Sequence, residues 1–148
     1  MTEHSAAHAT FTIERDYPVP PAEVFAAWSD PAMKGRWFAG AESKHELDFR
    51  VGGREIASGS HDGDTLTFET TYHEIVPGER IVYTSALRTG ETVATVSLTT
   101  VEFAAAQDGT RLTLTEQGTY LDEHEQSAWR EQGTNDQLDA LGKELAAR

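Results

Sequence analysis

The chain has 148 residues with 25 acidic and 12 basic side chains, a formal net charge of −13, and no cysteine. This excess of carboxylates repels nucleic-acid phosphates and anionic lipid headgroups, so it disfavours nucleic-acid binding and membrane association. The lack of cysteine excludes disulfides, thiolate metal sites and a cysteine nucleophile.

The N-terminal residues form no apolar stretch typical of a secretory signal, and no run reaches the ~20 apolar residues that a membrane helix needs. We therefore expect a cytoplasmic protein without membrane insertion. A flexible tail is predicted over residues 1–9 and a single domain over residues 10–148, a usual domain size. Alternation of Phe11 and Ile13 with polar neighbours predicts a first strand that ends at Pro18.

Two short helices are predicted next. Pro21 suits the first turn of a helix, and Val24 and Trp28 lie four residues apart on one face. Asp30 is predicted to end this helix and to cap a second one that contains Trp37.

From Ser43 to Tyr120 the pattern predicts six consecutive strands, because five turn signals interrupt period-two alternation. These signals are Gly52-Gly53, Asp62-Gly63-Asp64, Pro77-Gly78-Glu79, Thr89-Gly90-Glu91 and Asp108-Gly109. Consecutive hairpins give antiparallel order. The alternation places three residue sets on common faces, namely Leu47 with Phe49 and Val51, Leu66 with Phe68, Thr70 and Tyr72, and Leu112 with Leu114 and Glu116.

A long helix is predicted from Asp122 to Arg148, since apolar residues then follow helical spacing. Asp122 and Glu125 have the form of a capping box at its start. Gly133 and Gly142 are expected to weaken this helix, or to permit close packing and a bend.

Together these elements predict an α+β fold in which a seven-stranded antiparallel sheet curves around the C-terminal helix. The helix is the predicted element long enough to cover the apolar face of the sheet. The concave space between the two would form a ligand cavity.

Several stretches resemble the START-like superfamily (SRPBCC, polyketide cyclase/lipid transport), in particular the branch named after the activator of the heat-shock protein 90 ATPase. The stretches are residues 24–31, 36–38, 48–54, 74–84 and 109–115, and the resemblance extends from about Phe11 to about Leu145. It implies a helix-grip fold with a hydrophobic cavity, while it leaves the reaction open because fold does not determine function.

The chain departs from this branch in the last helix. The branch usually carries a Gly-Trp pair where this sequence has Gly133 and Thr134. If the tryptophan normally lines the cavity, we expect a wider or more polar pocket here.

Seven residues are predicted to bind the ligand: Trp37, Phe49, Phe68, Tyr72, Tyr83, Glu116 and Trp129. For the aromatic residues the alternative is ordinary core packing. Glu116 is also a candidate general acid or base, provided that its strand face is the concave one; the alternative places it at the strand end in water.

No metal site and no cofactor are predicted. His124-Glu125 begins like a zinc-protease motif, but Ala128 stands where the second histidine is required. His4 and His8 fall in the predicted tail, and His45, His61 and His73 are expected to lie at the surface or in hairpins.

The favoured function is binding of an apolar small molecule in the cavity. One alternative is a cyclase- or hydrolase-type enzyme that uses Glu116 or a strand histidine. Another is a chaperone-associated interaction module, ranked third because the chain shows no additional chaperone-binding domain. The identity of the ligand and the formation of a homodimer are left open.

Overall fold

The computed structural model describes residues 4–39, 43–61 and 63–147. Seven strands form one antiparallel sheet in the order β1-β7-β6-β5-β4-β3-β2. The strands are β1 Ala6–Tyr17, β2 Lys44–Leu47, β3 Arg54–His61, β4 Asp64–Val76, β5 Arg80–Thr89, β6 Thr92–Ala106 and β7 Gly109–Leu121. The predicted fold class is therefore confirmed.

Two short helices, α1 (Pro21–Ser29) and α2 (Pro31–Lys34), follow β1, and a π-helical turn over Gly35–Ala39 continues from α2. The side chain of Asp30 caps α2, since its Oδ2 accepts a hydrogen bond of 3.0 Å from the Met33 N–H. The face of α1 that carries Val24, Ala27 and Trp28 is buried, so the predicted pairing of Val24 with Trp28 is confirmed.

Glycines in the left-handed region make two of the hairpin turns possible. Gly78 has φ +73° between β4 and β5, and Gly90 has φ +61° between β5 and β6. A side chain at either position would strain the backbone, so glycine fits these turns better than any other residue.

The first strand begins earlier than predicted. Ala6 pairs with Leu121 of β7, so residues 6–9 belong to the sheet, whereas residues 1–3 lie outside the described residues. Asp122 reinforces this end of the pairing, because its Oδ1 accepts a 2.7 Å hydrogen bond from the Ser5 N–H.

The edge strand β2 is shorter than the alternation predicted. It ends at Leu47, so Phe49 and Val51 lie in the loop that leads to β3. Val51 is 62% exposed, and the loop is closed by Gly53, whose N–H donates to the Arg50 carbonyl. The strand face therefore ends at Leu47, although the period-two alternation in the sequence continues to Val51.

The C-terminal helix α3 spans Ser127–Ala146 and is about 30 Å long at 1.5 Å per residue. The predicted start at Asp122 and its capping box are wrong, because Asp122 and Glu123 have φ of 53° and 57° and cannot form a first helical turn. Gln126 occupies the cap position without a side-chain cap.

The core lies between the second half of α3 and the concave face of the sheet. Leu138, Leu141 and Leu145 are at most 2% exposed. The Tyr17 hydroxyl donates a 2.9 Å hydrogen bond to the Leu138 carbonyl, and a Cβ placed on Gly142 would lie 3.4 Å from the Tyr17 ring. This distance is an ordinary van der Waals contact, so Gly142 lies against the Tyr17 ring and its predicted role in close packing stays a prediction.

We expect Gly133→Ala to stabilise the protein by about 0.5–1 kcal/mol. A Cβ at Gly133 meets nothing within 4 Å, so the substitution gains helix propensity without a clash. The free energy of unfolding from urea titration measures the effect.

Gly78→Ala is the matched control, because the same added methyl group must adopt φ +73° there. It should destabilise the fold by ~1 kcal/mol or more. A loss of stability in Gly133→Ala would show that α3 needs glycine for another reason.

Candidate functional site

A cavity of about 420 Å³ lies between the concave face of the sheet and the first half of α3. This volume falls within the range of small-molecule sites. Its lining is mainly aromatic and aliphatic on the side of the sheet and the short helices, and polar where α3 approaches β7. The lining includes Trp28, Trp37, Phe38, Phe68, Tyr83, Glu116, Glu125, Trp129, Arg130, Gly133 and Thr134.

The apolar wall is a chain of ring contacts. Trp37 meets Trp28 at a centroid distance of 4.8 Å and Phe38 at 5.7 Å, and Phe38 meets Phe68 at 5.9 Å. The Trp37 Nε1–H donates a 2.9 Å hydrogen bond to the Ala27 carbonyl, which fixes this ring against α1. Edge-to-face packing of this kind gives a rigid apolar surface.

The polar wall is centred on Glu116 of β7 and Arg130 of α3. Glu116 Oε2 lies 2.9 Å from Arg130 Nε, and Glu116 Oε1 accepts a 3.1 Å hydrogen bond from the Thr99 hydroxyl. Arg130 Nη1 lies 3.6 Å from Glu125 Oε1, and Arg130 Nη2 donates to Ser97 Oγ at 3.2 Å. Glu116 and Arg130 are 5% and 9% exposed, so this ion pair is almost fully removed from water.

Glu116 therefore lies on the concave face, whereas the sequence left open whether it lies there or at the strand end in water. The burial pattern of β7 alternates over these residues, and all three are buried. Its partner Arg130 was missed by the sequence analysis, which treated Trp129 as the α3 residue facing the cavity. The signal was the helical spacing itself: residues 130, 138, 141 and 145 share the buried side of α3.

Five of the seven predicted ligand-binding residues line the cavity: Trp37, Phe68, Tyr83, Glu116 and Trp129. Trp129 is 60% exposed, so it lies at the rim rather than in the wall. The role of all five in binding stays a prediction.

Phe49 and Tyr72 lie outside the lining, which corrects their predicted placement. Their rings pack against each other at 5.0 Å, and Phe49 also meets Phe25 at 5.7 Å. The Tyr72 hydroxyl donates to Glu55 Oε1 at 2.5 Å and accepts a hydrogen bond from Lys34 Nζ at 3.1 Å. The protein itself thus satisfies this hydroxyl.

A buried polar cluster of Lys34, His45, Glu55 and Tyr72 supports the aromatic wall from behind. Lys34 Nζ lies 2.6 Å from Glu55 Oε1, and His45 Nε2 lies 2.7 Å from Glu55 Oε2. Lys34 and Glu55 are each 1% exposed. The Lys34 ammonium lies 4.5 Å from the Phe38 ring centroid, a cation–π contact that fixes this ring of the wall.

Burial and charge act in opposite directions on this cluster. Desolvation alone would raise the pKa of Glu55, but the Lys34 ammonium and the hydrogen bonds from His45, Lys34 and Tyr72 outweigh it and lower this pKa to about 2. Desolvation lowers the pKa of Lys34 despite Glu55, and desolvation together with the Glu55 charge raises the pKa of Tyr72. Burial likewise raises the pKa of Tyr83.

The histidines make separate contacts. His4 Nδ1 lies 3.2 Å from Asp122, His8 Nδ1 lies 3.3 Å from the Thr119 hydroxyl, and His73 Nε2 lies 2.7 Å from the Thr84 hydroxyl. The side chain of His61 lies outside the described residues. Within the described ranges, no three His, Asp or Glu side chains form a group able to hold a metal ion.

The sequence from residue 18 to residue 146 matches the model of the family described as activator of Hsp90 ATPase homolog 1-like protein. The chain belongs to this family. None of the curated proteins matches the chain.

No helix of the described part of the chain is long and apolar enough to cross a membrane.

Solved structures agree with this assignment. An uncharacterized protein of Rhizobium leguminosarum shares 41% identity with a TM-score of 0.95, over 99% of this chain and 100% of that one. A protein of Rhizobium loti shares 42% identity with a TM-score of 0.89, over 95% of this chain and 99% of that one. DynU16, from the dynemicin biosynthetic locus, shares 18% identity with a TM-score of 0.70, over 93% of this chain and 47% of that one, which shows a common fold.

In this chain the Gly133-Thr134 pair faces the cavity. Both residues belong to the lining, and the Thr134 hydroxyl donates a 3.0 Å hydrogen bond to the Arg130 carbonyl. The position where the branch usually carries tryptophan is thus directed at the candidate site, and a small polar residue occupies it here.

We expect Glu55→Gln to destabilise the protein by about 3–5 kcal/mol at pH 7, because it leaves the buried Lys34 charge without its partner. Since the pKa of Glu55 is lowered from 4.5 to about 2, its stabilising contribution is present above pH ~4.5 and is lost as the pH falls toward 2. The stability difference between wild type and variant should therefore shrink over this range, as measured by urea unfolding at stepped pH.

Glu74→Gln is the control. Glu74 forms an exposed pair with Arg80, with Oε1 2.6 Å from Nε, and such pairs contribute little. Equal effects of the two substitutions at pH 7 would show that the Lys34 cluster does not stabilise the fold as described.

Proposed function

We propose that the protein binds an apolar small molecule in the cavity between the sheet and α3. The observation that carries this proposal is the lining itself: a wall of aromatic rings in edge and tilted contact continues into a buried polar cluster at one end. Sites for organic ligands combine these two features, because apolar area supplies affinity and a few convergent polar groups fix orientation.

The surroundings of the cavity favour a preformed site. Trp37 is held by its hydrogen bond to Ala27, Phe38 by the Lys34 cation, and Arg130 by two carboxylates and Ser97. Side chains that are already fixed lose little conformational entropy when a ligand binds, so more of the contact energy contributes to affinity.

Fold similarity to DynU16 agrees with a small-molecule role but does not specify one. The cyclase or hydrolase alternative and the chaperone-associated alternative stay predictions.

We expect Thr134→Trp to block the cavity. The added indole would occupy space that the lining encloses, so the affinity for N-phenyl-1-naphthylamine, a neutral fluorescent probe, should fall at least about tenfold, or ~1.4 kcal/mol. Probe titration measures the loss, and thermal unfolding reports whether the fold is intact.

Gln132→Trp is the control, since it adds the same ring to an exposed position of α3 outside the lining. Its probe affinity should match that of the wild type. If Thr134→Trp is stably folded and binds the probe as well as the control does, the cavity is not the binding site.

A second pair of variants compares a phenylalanine inside the cavity with one outside it. We expect Phe68→Ala to weaken probe binding about tenfold or more, and Phe49→Ala to leave it within about threefold of the wild type. Both should reduce the unfolding temperature, because each removes a packed ring. Equal losses of affinity would indicate that general loosening, and not the lining, determines binding.

A further inference from the structure

We propose that the ligand of this cavity carries a hydrogen-bond donor and no negative charge at its polar end, as in a protonated amine, a phenol or an alcohol on an apolar body. This inference rests on the proposed function and adds the chemical class of the ligand. It follows from the unused acceptor capacity of Glu116, the charge compensation of Arg130 and the summed charge of the polar wall.

Glu116 has acceptor capacity that the described residues do not use. An ionised carboxylate offers about four acceptor sites. Oε1 accepts from the Thr99 hydroxyl, whereas Oε2 accepts no hydrogen bond, although Arg130 Nε lies 2.9 Å away in an ion pair of unsuitable hydrogen-bond geometry. A buried acceptor of this kind is costly unless a donor reaches it, and a ligand in the cavity is placed to supply one.

The charge of Arg130 is already compensated by two carboxylates. Its Nε lies 2.9 Å from Glu116 Oε2, its Nη1 lies 3.6 Å from Glu125 Oε1, and its Nη2 donates to Ser97. Its guanidinium carbon also lies 4.7 Å from the Phe68 ring centroid, so one face of the group is covered. A ligand carboxylate or phosphate would have to compete with both carboxylates for this charge.

The charges of the wall sum to one negative charge, from the carboxylates of Glu116 and Glu125 and the guanidinium of Arg130. The other charged pair near the cavity, Lys34 with Glu55, is neutral overall. Next to these partly or fully buried side chains an added anion would be repelled, whereas a cation would be attracted.

The aromatic wall favours the same ligands. Ring faces attract cations as well as packing against apolar groups, and the net charge of −13 on the chain raises the local concentration of cations at the cavity mouth. The same polar wall also holds α3 against the sheet, so the test must separate ligand preference from structural support.

The experiment compares four naphthalenes that share one ring system and differ at position 2: aminomethyl, hydroxyl, methyl and carboxylate. Binding to the wild-type protein at pH 7 is measured by calorimetry and by displacement of N-phenyl-1-naphthylamine. We expect the ammonium and hydroxyl compounds to bind about tenfold more tightly than the methyl compound, and the carboxylate to bind more weakly than the methyl compound.

Glu116→Gln tests the source of this preference, because it removes the charge and keeps the shape. The preference for the ammonium over the methyl compound should fall about tenfold, while Glu74→Gln, at an exposed site outside the lining, should retain it. Circular dichroism and thermal unfolding verify that the variants are folded, and the wild-type series decides the question if Glu116→Gln does not fold.

Carboxylate binding as tight as that of the ammonium compound, or equal binding of all four compounds, would overturn this inference and leave the cavity proposal standing. Binding of neither the probe nor any naphthalene would overturn the proposed function and this inference with it. A preference for the donors that Glu116→Gln abolishes supports both.

Discussion

The ion pair between Glu116 and Arg130 is the contact on which the shape of this domain depends. The second half of α3 is held to the sheet by buried leucines, but its first half presents Arg130, Gly133 and Thr134 instead. Polar contacts join this half of the helix to the sheet: the 2.9 Å ion pair with β7, and the 2.7 Å hydrogen bond from Arg15 of β1 to Asn135. The Glu116–Arg130 pair joins α3 to the sheet and lines the space between them. The same contact therefore forms part of the cavity and its polar wall.

The second buried pair, Lys34 with Glu55, positions the short helical segment that follows α1. The short segment after α1 must present Trp37 and Phe38 to the cavity, although it has few backbone contacts with the sheet. Lys34 bridges this segment to β3, and its charge is compensated by one carboxylate, one hydroxyl and the surrounding rings. Buried pairs contribute little net stability compared with apolar residues, but they define position, because misplacing either partner leaves a charge uncompensated.

The sequence predicted the sheet well because turn glycines and period-two alternation are local signals. All five predicted breaks separate strands in the structure, and Glu116 lies on the face that its spacing to Leu112 and Leu114 indicated. The errors arose where tertiary contacts override local pattern. Phe49 continues the alternation of β2 but lies in a loop, and Asp122 resembles a helix cap but binds the backbone of Ser5.

The polar clusters were the least predictable features. Lys34 and Glu55 are 21 residues apart in sequence, and nothing in the composition of either neighbourhood indicates that they meet. A lysine at the end of a short helix is ordinarily exposed, whereas Lys34 is buried against Glu55 and the surrounding rings. Tyr72 was predicted to bind the ligand, but its hydroxyl donates to Glu55 instead.

The pairing of β1 with β7 has a consequence for biosynthesis. Ala6 to Tyr17 align with Leu121 to Thr110, so β1 leaves the ribosome about a hundred residues before β7, the strand with which it pairs. The hairpins from β2 to β6 can assemble earlier because their contacts are local. Pairing of β1 with β7 joins residues about a hundred positions apart and is slow for that reason. Until β7 and α3 have been synthesised, the apolar side of β1 lacks the strand and the helix against which it packs. Nascent chains stalled before Leu121 would therefore be open, aggregation-prone intermediates that chaperones recognise.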